Sequence, residues 1–162
     1  MGKNSQIGDH VKLSDQDKAL LREMQGDAGL SLAELGARVG MAQSTVWRKV
    51  QEFEASGLIR GRVALLDPAL AGAKLCVFAS VSLEDHSEAA VAEFSRIVSV
   101  HPEILECHAV SGLADYIVKI RVSDVEAYER FMTTVLLRNP HVRSVVSSFS
   151  LREVKYATAL PL

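Results

Sequence analysis

The stretch Met41-Ala-Gln-Ser-Thr-Val-Trp-Arg-Lys-Val50 concentrates side chains able to grip a polyanion and to read flat, hydrogen-bonding edges. Val46, Val50 and Phe53 recur at i, i+4 and i+7. That spacing makes one apolar stripe of a helix and turns Gln43, Ser44, Trp47, Arg48 and Gln51 onto or beside the opposite face. Gln43 carries the donor and acceptor that match an adenine edge, and Ser44 and Thr45 can bond either a base or a phosphate. Arg48 and Lys49 can neutralise phosphate, as can Arg60 and Arg62 further along. Each residue also has an ordinary structural reading. Ser44 and Thr45 are common helix caps, Trp47 reads first as packing beside a small core, and Arg60 and Arg62 suit a solvated linker.

Three helices must position that stretch. Between Ser14 and Gln25, the residues Ala19, Leu20, Leu21 and Met24 fall on one helical face, and Gly26-Asp27-Ala28-Gly29 breaks the pattern. Ser31 and Glu34 are spaced as a capping box, opening a short helix with Leu32, Leu35 and Val39 that Gly40 ends. The next helix starts at Ala42 or Gln43 and stops at Gly57, with Leu58 and Ile59 closing the core. Helices two and three, joined by a tight glycine-containing turn, have the outline of a helix-turn-helix. Residues 13–60 are assigned to this domain, residues 1–12 to a solvated tail, and residues 61–72, punctuated by Asp67-Pro68, to a linker.

From residue 73 the pattern changes. Ala73–Leu83 reads as a strand and Ser87–Val100 as a helix carrying Val91, Phe94, Ile97 and Val98. Ile104–Val110 and Tyr116–Val122 read as strands around a hairpin turn. A second capping-box spacing at Ser123 and Glu126 opens a helix that Asn139-Pro140 ends, and Val142–Val154 is the last strand. The order βαββαβ over residues 73–162 is ferredoxin-like, with both helices on one face of the sheet and the other face left for a partner. The fold class is therefore α+β: an N-terminal three-helix, winged-helix-like helix-turn-helix followed by a ferredoxin-like domain.

Composition bounds the function. The chain has 162 residues, 48% hydrophobic and 23% charged, which excludes disordered and low-complexity classes. No apolar run approaches a membrane span, the start is polar, and two cysteines are too few for a disulfide framework, so a cytoplasmic location is expected. A net charge of −2 excludes a uniformly basic protein but not a local basic surface. The adjacent Cys107 and His108 point to opposite faces of a strand, which disfavours shared metal coordination. No catalytic motif is present, and neither a cofactor nor a metal is expected.

Read whole, the sequence resembles the Lrp/AsnC family of feast/famine transcriptional regulators from about Leu13 to Leu162. The N-terminal marks are Leu13-Ser-Asp-Gln-Asp17, Gly40-Met-Ala-Gln-Ser-Thr-Val-Trp-Arg-Lys49 and Glu54-Ala-Ser-Gly-Leu-Ile-Arg-Gly61. The C-terminal marks are Glu106-Cys-His-Ala-Val-Ser-Gly-Leu-Ala-Asp-Tyr116 and Val154-Lys-Tyr-Ala-Thr-Ala-Leu-Pro-Leu162. Lys49 stands where the family usually shows arginine; it keeps the charge but loses the bidentate fork. The resemblance implies a helix-turn-helix that binds double-stranded operator DNA. It further implies a second domain that makes a homodimer, can assemble dimers into octamers, and binds an amino-acid effector between subunits. An apolar, leucine-like amino acid is the effector it suggests, with cysteine and methionine also open.

The turn at 111–116 is chemically compatible with that effector. A free amino acid needs donors for its carboxylate and an acceptor for its ammonium. Gly112 can adopt positive φ, so the surrounding N–H groups can converge on an anion, and Asp115 supplies a carboxylate. Ser111 lies in the same turn, Tyr116 can shape a pocket, and the resemblance places Ser147 of the last strand toward the cleft. Taken alone, Ser-Gly-x-x-Asp is also an ordinary hairpin turn. The expectation is an amino-acid-responsive, sequence-specific regulator of transcription, reading pseudo-palindromic half-sites about one turn (~10 bp) or its multiples apart. Two alternatives stay open: an effector-independent architectural DNA-binding protein, and a ferredoxin-like small-molecule-binding module.

Overall fold

The computed structural model describes residues 12–162. The expected N-terminal tail therefore lies, but for Lys12, outside the described residues. The chain divides into two compact units, one containing the residues up to Ala64 together with Lys155–Leu162, the other Leu65–Val154.

The first unit is built from α1 (Asp15–Gly26), α2 (Leu32–Val39) and α3 (Gln43–Ala55). Leu20, Leu21, Leu35, Val46, Val50 and Phe53 form its core, closed at the edge by Leu13, Met41 and Ile59 among others. Both of the first two helices start with reciprocal capping boxes, Ser14 with Asp17 and Ser31 with Glu34. Between α2 and α3 the backbone is tight: the Met41 N–H donates to the Gly36 carbonyl at 2.9 Å. A Cβ on Gly36 would stand 2.5 Å from the Met41 carbonyl oxygen, so only glycine lets the turn close against α2.

Lys155–Leu162, which follow the second domain in sequence, group in space with the first unit and bond to α1. Gln25 on α1 accepts from the Leu160 N–H at 2.6 Å and donates to its carbonyl at 3.2 Å. Arg22 Nε donates to the Leu162 carbonyl at 2.8 Å.

The second unit runs β1 (Leu75–Leu83), α4 (Glu88–Val100), β2 (Ile104–Ala109), β3 (Tyr116–Val122), α5 (Val125–Phe131, continuing as a π turn Met132–Leu136) and β4 (Val142–Phe149). The strands form one antiparallel sheet in the order β2-β3-β1-β4, the ferredoxin-like arrangement. Alternation along β1 sends Val77, Ala79, Val81 and Leu83 to one face, opposite Ile120, Val118 and Tyr116 of β3. There they join Phe94, Tyr128, Phe131 and Leu136 from the helical layer in a single core. The other face carries Phe78, Ser80, Ser82, Ile117, Ser144 and Val146, with Phe78, Ile117 and Val146 exposed.

Two local details depart from the sequence reading. The helix after β3 is capped by Asp124, which accepts from the Ala127 N–H at 2.8 Å; Ser123 serves only to bond the Asp124 carboxylate. Its last turn widens because the Thr133 and Thr134 hydroxyls bond back to the Glu129 and Arg130 carbonyls and compete with the backbone ladder. The final strand stops at Phe149, not Val154. Val77 pairs with Phe149 and the Ser150 N–H with the Cys76 carbonyl, so β1 has little edge left to pair beyond that point.

Candidate nucleic-acid interface and effector cavity

Helix α3 presents Gln43, Ser44, Trp47, Arg48 and Gln51 to solvent, while Val46, Val50 and Phe53 hold it to the core. Trp47 is 55% exposed, so it does not serve mainly as packing for the three-helix core. Ser44 and Thr45 are not caps either: the N-cap is Ala42, with no side-chain bond. The N–H groups of Gln43 and Ser44 consequently have no partner among the described residues, and such groups at a helix start are donors suited to a phosphate. Thr45 is half-buried on the flank.

The cations divide into two sets. Arg48 is solvent-facing and pairs loosely with Glu52 at 3.6 Å; Arg62 lies 3.1 Å from Glu54; Arg60 is exposed with no counter-ion among the described residues. These pairs are exposed and exchange for phosphate at little cost. Lys49 belongs to the other set. Its Nζ sits 2.9 Å from Asp17 Oδ1, and Asp17 is buried at only 4% exposure. Burial pushes the Asp17 carboxyl up, but its bonds to Lys49 and Ser14 outweigh that and leave it below the usual carboxylate value. Lys49 thus spends its charge inside the domain, tying α3 to the cap of α1.

In the second unit the predicted effector residues separate onto two faces of the sheet. A cavity of about 910 Å³ opens on the uncovered face, lined among others by Ser80, Ser82, Ser111, Leu113, Arg143 and Ser144. Gly112, at the hairpin tip, holds φ 142°, a conformation that side chains rarely adopt, with open space where a Cβ would be. Asp115 closes the hairpin: its carbonyl accepts from the Val110 N–H at 3.0 Å and its N–H donates to Val81. The Asp115 carboxylate accepts from the Leu83 N–H at 2.7 Å and meets His86 Nε2 at 2.8 Å. His86 first, then the Leu83 N–H, hold this carboxyl below its usual value, and the Arg143 charge adds to the effect.

Tyr116 and Ser147 lie on the opposite, helix-covered side. The Tyr116 ring packs 4.6 Å from that of Phe94, and burial pushes its hydroxyl up. Ser147 Oγ is 2.5 Å from the Tyr128 hydroxyl and 3.9 Å from Met132 Sδ. The strand pleat explains the split: Ser147 faces the helices because Val145 does, so Ser144 and Val146 take the uncovered face. Arg143, Ser144, Ser80, Ser82 and His86 escaped the sequence reading. The two serines of β1 alternate with core positions and could have been found by period-two spacing alone.

Comparison with known proteins agrees with both units. The family model described as winged helix-turn-helix DNA-binding matches residues 5–60, and that of the Lrp/AsnC ligand binding domain matches residues 76–160. The chain is 34% identical over 151 residues to the glutamate uptake regulatory protein of Zymomonas mobilis, covering 93% of this chain and 92% of that one. It is 36% identical over 144 residues to the leucine-responsive regulatory protein of Escherichia coli, covering 89% and 88%. Among solved structures, a transcriptional regulator of Neisseria meningitidis in complex with L-Met superposes with a TM-score of 0.89 at 32% identity, over 93% of this chain and 97% of that one. An AsnC family transcriptional regulator from Agrobacterium tumefaciens does so with 0.87 at 37% identity, over 92% and 97%. With an exposed helix in the helix-turn-helix of one unit, a cavity lined by both polar and apolar side chains in the other and matches along nearly its whole length, the chain belongs to the Lrp/AsnC family of DNA-binding transcriptional regulators.

Proposed function

We propose that this regulator reads operator DNA with the exposed face of α3 and changes its DNA affinity when an amino acid binds beside the 111–115 hairpin. The observation that carries the effector reading is the cavity itself. Its lining combines Arg143 with the hydroxyls of Ser80, Ser82, Ser111 and Ser144, and Asp115, the residue after the lining Ala114 and within reach of the Arg143 charge, adds a carboxylate, so both charge types a zwitterion requires are at hand. A relative solved with L-Met supports methionine as a first candidate, and another named for leucine makes leucine the second.

On the DNA side, Gln43, Ser44 and Trp47 face base edges. Arg48, Arg60 and Arg62 face phosphate. Thr45 is assigned to the flank and Lys49 to holding the helix. Gly112 and Ser111 shape the cavity rim, Asp115 takes the ammonium, and Tyr116 and Ser147 support the sheet from behind. The apolar centre of the uncovered face, Phe78, Ile117 and Val146, suits a second copy of the chain, which makes the working unit a homodimer able to assemble further and closes the cavity from outside. Coupling is then linkage: an effector that binds one arrangement of subunits better shifts the protein toward it, and with it the spacing of the DNA-binding heads. The protein acts where its DNA is, in the cytoplasm; no described helix is long and apolar enough to cross a membrane.

Light-scattering mass with and without each of the twenty standard L-amino acids tests assembly and effector together. A dimer or larger species whose mass or calorimetric signal responds to one amino acid supports the reading. A monomer indifferent to all twenty contradicts it.

A further inference from the structure

The hairpin carboxylate that suits an ammonium group already holds a side chain that can be cationic. Asp115 Oδ2 is fixed by the Leu83 backbone N–H at 2.7 Å, whereas Oδ1 meets His86 Nε2 at 2.8 Å. His86 sits in the irregular segment between β1 and α4, its side chain is 71% exposed, and Asp115 is its one partner among the described residues. Releasing it breaks one exposed contact and opens no cavity in the core. An ammonium bonding to Oδ1 must share that oxygen with the imidazole N–H, and a second cation there is repelled when the imidazole is charged.

We infer that His86 is a built-in competitor for the effector: the bound amino acid's ammonium takes its place at Asp115 Oδ1, and the imidazole turns to solvent. This rests on the amino-acid reading above and adds a consequence to it. Imidazoles gain charge between about pH 5 and 8, and an imidazolium holds a carboxylate more strongly than a neutral ring does. Effector affinity therefore rises with pH across that range. The other groups near this end of the sheet act differently. Arg143 on β4 keeps a constant charge, and Tyr116 on β3 stays neutral because burial raises its hydroxyl. His141, before β4, pairs with Asp85 at 3.7 Å and its charge reaches Glu93 on α4, but it does not touch Asp115.

The test is calorimetric titration of the full chain with the twenty standard L-amino acids at pH 5.5 and 8.0, the tightest binder then being measured on wild type, His86→Gln and His141→Gln. The expected wild-type affinity is about two- to five-fold weaker at pH 5.5, the range for exchanging one exposed charge pair. His86→Gln removes the difference and His141→Gln keeps it. In histidine-selective NMR, the His86 resonance, identified by its loss in His86→Gln, shifts when the amino acid is added. Binding without pH dependence, or with a dependence that survives His86→Gln or vanishes in His141→Gln, overturns the inference while leaving the effector reading intact. Absence of binding by all twenty amino acids overturns both.

Discussion

Lys49 Nζ lies 2.9 Å from the buried carboxylate of Asp17, joining the middle of the reading helix to the cap of the first helix. Asp17 serves two structures at once, because its other oxygen accepts from the Ser14 N–H at 3.0 Å and from the Ser14 hydroxyl at 2.8 Å. Removing its charge leaves the half-buried Lys49 ammonium with only the long 3.9 Å contact to the exposed Glu52 carboxylate. Asp17→Asn is expected to lower unfolding stability at pH 7 by about 2 kcal/mol, read as a shift in urea midpoint. The carboxyl is depressed in the folded state, so its stabilisation is present above the unfolded value of about 3.9 and fades as pH falls through the lower folded one. The gap between wild type and Asp17→Asn should therefore narrow below about pH 4; a gap constant down to pH 2 contradicts the pairing.

The same relationship divides the basic residues of α3 by role. Arg48→Ala should weaken DNA binding and make the log–log salt dependence shallower by about one unit, as loss of one phosphate contact does. Lys49→Met should leave that slope unchanged once binding is corrected for folded fraction by circular dichroism. A slope reduced by Lys49→Met and untouched by Arg48→Ala would reverse the assignment.

The architecture was legible because its signals are local and periodic. Val46, Val50 and Phe53 mark the buried stripe of α3, and Ser31 with Glu34 marks a helix start; both stand as read. What stayed hidden depends on contacts far apart in sequence. Nothing near Lys49 announces Asp17, and nothing near Asp115 announces His86, 29 positions away. Ser147 faces the helices for a different reason: a resemblance supplies a strand but not its pleat, and one residue of register exchanges one face of the sheet for the other. The tail from Lys155 reads as part of the second domain, yet its polar backbone groups find Gln25 and Arg22 on α1.

Gly36 offers a packing test independent of charge. Gly36→Ala would force a methyl to 2.5 Å from the Met41 carbonyl oxygen, and the surroundings are backbone that cannot yield cheaply. The expected loss is about 1–3 kcal/mol of stability, detected by thermal melts. A helix-propensity gain from alanine, appearing as a raised Tm, would show that the turn is looser than described.

The two sides of the sheet should respond differently to substitution. Arg143→Met is expected to weaken binding of the tightest amino acid by about 10- to 100-fold, as loss of a charge-assisted bond to a carboxylate does. Ser147→Ala, which removes a bond to Tyr128, should lower stability by about 1 kcal/mol and leave that affinity within about two-fold. Calorimetric titration of both variants decides; the reverse ranking would move the effector to the helix-covered side.

Regulation by the proposed linkage requires that a ligand beside the 111–115 hairpin alter the grip of α3 on DNA. It is tested most directly by measuring, through fluorescence anisotropy, the Kd of the full chain for a duplex selected by it from a random pool, with and without each amino acid at saturation. One amino acid should change Kd by about 5- to 150-fold, the usual span of such coupling. The Arg143→Met variant should bind the same duplex as tightly as wild type in the absence of effector and lose the response. If no amino acid alters Kd, or if Arg143→Met responds as wild type does, the proposed coupling is wrong.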